Sequence, residues 1–108
     1  MTPLAPLAKT RFSQRLTPAQ VRENLAVRNL YDTAKRICTE RNIRFEEMFA
    51  PGRKKDPPTH ALHQFWAEIY EPNTRSYPWV GALSGHDHTT VMNGVKAHWT
   101  RMVRRVAA

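Results

Sequence analysis

A chain of 108 residues is one domain of ordinary size, and 41% hydrophobic content supports a single modest core. A net charge of +8 and a pI near 10.4 point to polyanionic partners, nucleic acid before an anionic membrane. The lone cysteine, Cys38, excludes an internal disulfide and a cysteine-built zinc site, and no phosphate loop of the Walker type is present to suggest nucleotide hydrolysis.

In chain order, residues 1–16 carry prolines at 3 and 6, scattered basic residues and little periodicity, and read as a mobile tail or one ordered on contact. The stretch is too short and too proline-broken for a signal peptide, and no apolar run approaches the ~20 residues of a membrane span. The expected setting is therefore the cytoplasm, with no membrane partner. Thr17-Pro18 opens a helix as N-cap and first helical residue. The helical signal runs from Pro18 to about Asn42, a long N-terminal helix. Val27, Leu30, Tyr31, Ala34, Ile37 and Cys38 share one face, whereas Val21 and Leu25 share another. Either the helix bends near Val27, or its front end packs on something other than the main core. Cys38 lies in the apolar stripe as a small buried hydrophobe.

Residues 43–50 form a short amphipathic piece with Phe45, Met48 and Phe49 inward, ended by Pro51-Gly52. A basic loop follows, Arg53-Lys54-Lys55, stiffened by Pro57-Pro58. The next helix spans Thr59 to Tyr70, with Leu62, Phe65, Trp66 and Ile69 at i, i+3, i+4 and i+7. After the break at Glu71-Pro72-Asn73, Ser76 or Tyr77 starts a short helix with Pro78 in its opening turn, and Gly85 ends it. Asp87 then caps a final helix from His88 to about Val106. In that helix Val91, Val95, His98 or Trp99, Met102 and Val106 point inward, and Thr90, Asn93, Lys96, Ala97, Thr100, Arg101 and Arg104 outward. The tryptophans at 66, 79 and 99 are spaced as core or rim residues. With no strand pattern, the fold class is all-α: a tail over 1–16, then a helical domain over 17–108.

The pair of helices at about 77–106 has the plan of a helix-turn-helix, whose second helix enters the DNA major groove tip first. Threonine methyls at 89 and 90 can pack on thymine, hydroxyls and the His88 imidazole can meet base edges, and Asp87 can accept from a cytosine amino group. Arg53, Lys54 and Lys55 can reach phosphates or a narrow minor groove. Lys96, Arg101, Arg104 and Arg105 can follow the backbone, and the N–H groups at the start of the Pro78 helix offer a neutral phosphate site.

The run Ser76-Tyr77-Pro78-Trp79-Val80-Gly81, then Gly85-His86-Asp87-His88-Thr89-Thr90-Val91-Met92, resembles the signature of the C-terminal DNA-binding domain of the bacterial replication initiator DnaA. The basic loop, Pro58 and the amphipathic helix over 59–70 echo the same family, and the likeness covers roughly residues 30–98. It implies a Trp-repressor-like helical fold. It further implies base reading by Asp87, His88, Thr89 and Thr90, minor-groove contact from Arg53, Lys54 or Lys55, and phosphate contact along Tyr77, Pro78 and Gly81, with His86, Asn93 and Lys96 added from this chain. The basic loop is shorter than the family's, the loop over 71–75 is longer, and His86 stands where the family usually has arginine. Asn93 and Gly94 alter the outer face of the reading helix, Gly94 weakening it by ~1 kcal/mol. The family's ATPase module has no counterpart here.

The expected activity is sequence-specific binding of double-stranded DNA by a nucleoid-associated regulator of transcription or modulator of replication initiation, a monomer rather than an obligate oligomer. The other reading is an adaptor that docks RNA polymerase or a replication protein through the off-phase segment 18–25. An enzyme is not expected, since no nucleophile–base pair or carboxylate pair stands out. No cofactor is expected, and no metal: zinc wants three or four converging ligands, and His60 and His63 belong to a different element from His86, Asp87 and His88.

Overall fold

The computed structural model describes residues 16–50 and 56–107. The expected tail, apart from Leu16, and the basic loop residues Arg53, Lys54 and Lys55 lie outside the described residues. Within them the protein is all-α, with six helices and no strand: α1 (Pro18–Ala26), α2 (Tyr31–Arg41), α3 (Phe45–Met48), α4 (Pro58–Ile69), α5 (Tyr77–Ser84) and α6 (His88–Ala107).

The signal over 18–42 resolves into two helices rather than one. Thr17 starts α1 with a reciprocal box, its side chain accepting from the Gln20 N–H while Gln20 accepts from the Thr17 N–H at 2.8 Å. The helix stops at Ala26, and Asn29 takes the left-handed conformation at φ 59°, which asparagine tolerates better than most residues. The reversal swings Leu30 back into the core, where its N–H donates to the Leu25 carbonyl at 2.9 Å. This break changes the phase, so Val21 and Leu25 face the same core as Ala34, Ile37 and Cys38. It also leaves Val27 exposed, although the uninterrupted stripe placed it inward. The second break, after α2, uses Asn42 at φ 55° as a left-handed cap.

Phe45, Met48 and Phe49 of the α3 region pack inward as their spacing requires. Phe49 meets Phe65 edge-on at 5.5 Å and Tyr31 meets Phe45 at 5.4 Å, so aromatic rings join α2, α3 and α4. Helix α4 is the central element, burying Ala61, Leu62, Phe65, Trp66, Ala67 and Ile69. Between α4 and α5 the chain closes a small turn in which Glu71 and Arg75 exchange backbone hydrogen bonds, and the Glu71 carboxylate accepts from the Thr74 hydroxyl. Tyr70 and Tyr77 stack across this turn at 4.1 Å.

Helix α6 lies along α4 and α5. Val91, Val95 and His98 are buried, as the periodicity requires. Trp99 and Val106 are not: both are exposed. Arg101 departs in the opposite direction, turning inward to donate to His63 Nδ1 at 3.0 Å. Gly94 does not belong to an outer face but is buried against the Trp66 and His63 rings.

Candidate nucleic-acid interface

Local chemistry builds the α5–α6 corner. Ser76 caps α5, its hydroxyl accepting from the Trp79 N–H, with Pro78 in the first turn. Gly85 ends the helix at φ 76°, a conformation that a side chain would resist. Only Gly85, His86 and Asp87 separate α5 from α6. The turn is held from below: the His86 N–H donates to the Gly81 carbonyl at 2.8 Å, and a Cβ at position 81 would run into the His86 backbone oxygen.

Asp87 starts α6. Its Oδ2 accepts from the Thr89 N–H at 2.9 Å, and its backbone carbonyl accepts from the Val91 N–H at 3.1 Å. The Thr89 N–H holds the Asp87 carboxyl below its ordinary range, with the neighbouring His88 adding to the effect. Asp87 Oδ1 lies 3.4 Å from His88 Nδ1, and His88 Nε2 lies 3.5 Å from the Thr89 hydroxyl. Asp87, His88 and Thr89 thus form one polar chain around the first turn. His88, Thr89 and Thr90 are exposed, and Thr89, Asn93 and Lys96 continue as an exposed row at i, i+4 and i+7.

The other expected contact residues are placed differently. Gly81 is buried in the α5–α6 contact, and its role there is close approach of backbone. His86 is half-buried, with Nδ1 2.9 Å from Ser84 Oγ and its ring edge-on to Trp66 at 5.0 Å. Tyr77 is half-buried on Tyr70, and burial pushes its phenol up, the Tyr70 contact adding to this. Pro78 is exposed.

Two features near the corner escape the periodicity. Ser84, buried in an apolar helix, accepts from the Trp66 indole N–H at 3.4 Å and meets His86, joining α4, α5 and the turn. The Arg101–His63 pair ties α6 to α4 beneath Gly94. Burial, and then the Arg101 charge, lower the His63 imidazole to about 4. Because arginine only donates, His63 Nδ1 is the acceptor and the neutral ring carries its proton on Nε2. Cys38 is buried, and burial, reinforced by Glu46 and Glu47, pushes its thiol up to about 11. Among the described residues no three His, Cys, Asp or Glu side chains gather in a metal-binding group, and no helix is long and apolar enough to cross a membrane.

Compared with protein-family models, with curated proteins and with solved structures, the chain matches none.

Proposed function

We propose that this protein binds double-stranded DNA sequence-specifically, as a regulator of transcription or a modulator of replication initiation. The observation that carries this reading is the capped, exposed start of α6. Asp87 holds the first turn, and His88, Thr89 and Thr90 extend short polar groups and methyls from it, at the front of a 20-residue helix. Side chains of that size and chemistry suit base edges in the major groove, which admits an α-helix. In this reading α5, the three-residue turn and α6 act as a helix-turn-helix. Thr89, Asn93 and Lys96 would track the groove. Arg53, Lys54 and Lys55 would supply minor-groove and phosphate contacts, as the likeness to the DnaA C-terminal domain implies. The +8 charge supports the same class of partner.

The adaptor reading rested on an apolar face of residues 18–25 available to a partner. Val21 and Leu25 are buried within this protein's own core, so that motive is gone.

Selection of bound sequences from a random duplex pool should enrich one motif. On that motif His88→Ala and Thr89→Ala are each expected to lower preference over scrambled duplex by about tenfold, the scale of one base contact, while leaving non-specific affinity in place. Arg53→Ala should weaken binding to both duplexes and flatten its salt dependence. Absence of an enriched motif, or equal losses on cognate and scrambled DNA for the two α6 variants, would remove the reading head from the start of α6.

A further inference from the structure

The first turn of α6 contains a relay of polar groups whose direction is fixed by their chemistry. Asp87 is its anchored end. Oδ2 accepts from the Thr89 N–H at 2.9 Å and serves as the helix cap. That N–H holds the carboxyl below its ordinary range, so Asp87 is a carboxylate at neutral pH. Its other oxygen, Oδ1, faces the His88 ring 3.4 Å from Nδ1. A carboxylate only accepts, so at this separation an Nδ1–H attracts it and an Nδ1 lone pair repels it. The neutral imidazole has one N–H to place, and the contact at one ring nitrogen decides the state of the other. With the proton on Nδ1, Nε2 is left as an acceptor. The His88 side chain is 58% exposed. The Thr89 hydroxyl, 3.5 Å from Nε2, sits at the outer limit of a hydrogen bond and yields to a better-placed donor.

An acceptor in this place discriminates within a base pair. In the major groove each pair offers one amino donor, on adenine or cytosine, and a keto acceptor on its thymine or guanine partner. Threonine hydroxyls donate or accept as needed, so Thr89 and Thr90 cannot tell the two apart by hydrogen bonding. On the DNA-binding reading above, we infer that His88, held in one tautomer by Asp87, reads the amino-bearing base of its pair, adenine or cytosine, through Nε2. Asp87 is then a positioning residue rather than a base reader, a reversal of the role that the family likeness implies for it.

Selection from a random duplex pool, with the parent chain and with His88→Ala, identifies the base pair that His88 faces as the one whose preference is lost. In that pair the amino group is then deleted, with purine in place of adenine or the unsubstituted pyrimidinone in place of cytosine. This should weaken the parent about tenfold, the scale of one base contact. His88→Ala should respond little, which separates the contact from any effect on base pairing. Deleting the keto oxygen of the partner base instead should affect the two proteins equally. Asp87→Asn reverses the relay without removing the cap, because asparagine caps as well as aspartate. Its amide oxygen faces the Thr89 N–H, which turns its NH2 to the ring, so Nδ1 accepts and the proton moves to Nε2. In the same selection this variant should change the pair at that position and become sensitive to loss of the keto oxygen. A cap with no further role predicts a general loss and no reversal. If Asp87→Asn does not fold, Asp87→Ser takes its place: serine still caps but is too short to serve the ring as well, so preference should flatten at that position alone. Imidazole nitrogen shifts of the labelled full chain check the tautomer without any substitution, with the proton of the neutral His88 ring expected on Nδ1. Four outcomes overturn the assignment while leaving a DNA-binding protein: no position that flattens in His88→Ala, a parent indifferent to the amino group, a parent proton on Nε2, or loss without reversal in folded Asp87→Asn. Absence of any enriched motif would remove the DNA-binding reading itself, and the assignment with it.

Discussion

Trp66 and Gly94 meet with no room for a side chain between them: a Cβ on residue 94 would lie 2.6 Å from Trp66 Cε3 and 2.8 Å from His63 Cδ2. Glycine inside a helix costs ~1 kcal/mol relative to alanine, so the position is locally unfavourable and tertiary packing overrides the preference. The Trp66 ring is itself held, buried among core residues with its N–H on Ser84. Gly94→Ala should therefore destabilise despite its better helix propensity. Overpacking costs about 1–3 kcal/mol against a gain of about 1 kcal/mol, leaving a net loss of up to about 2 kcal/mol. Urea midpoints of the two proteins check this, and an alanine variant as stable as the parent would mean that the indole yields.

Acid should loosen the contact between α4 and α6. His63 titrates at about 4 in the folded protein, below its ordinary 6.5, because burial and the Arg101 guanidinium oppose its charge. Between those two values the unfolded chain binds more protons, so stability rises with pH across the window and falls as pH drops from about 6.5 toward 4. His60 and His98 are also lowered, mainly by burial, and act with the same sign, while Asp56 beside His60 works against it. His63→Gln keeps a group able to accept from Arg101 but cannot titrate. Its urea midpoint should depend less on pH between 4 and 6.5 than that of the parent. An unchanged slope would assign the acid response to other groups.

Leu25 measures whether α1 is an appendage or part of the domain. Its side chain is fully buried, and Asn24 beside it donates to the Leu83 carbonyl at 3.1 Å, tying α1 to α5. Leu25→Ala should cost about 2–5 kcal/mol, as for a core leucine, and removal of residues 1–25 should abolish cooperative unfolding. If that truncated chain still melts cooperatively, α1 is dispensable to the fold.

Most local structure was legible because it is written in short-range chemistry. The Thr17-Pro18 start, the Ser76 and Asp87 caps, the Gly85 stop, and the inward sets on α3 and α4 each depend on residues within one or two turns of one another. The phase conflict between Val21 and Leu25 and the stripe that follows was visible too, but two outcomes satisfied it. Asn29 decided between them, because its left-handed backbone makes the break that lets both faces enter one core. The exposed tip at His88, Thr89 and Thr90 followed from the cap alone.

Sequence by itself determined an all-α fold, the starts of α1, α5 and α6, the stop of α5, and the polar first turn of α6, since caps and periodicity act over a few residues. Tertiary structure alone decided what each face meets. It turned Gly94 from a weak helical position into the contact point for Trp66, took Arg101 from the solvated face to His63, and set His86 on Ser84 and Trp66. It also left Trp99 and Val106 in solvent, although their spacing marks them as core. Helical periodicity reports that a face is apolar, but whether the face is covered depends on how far the neighbouring helices extend, which is a property of the assembled fold.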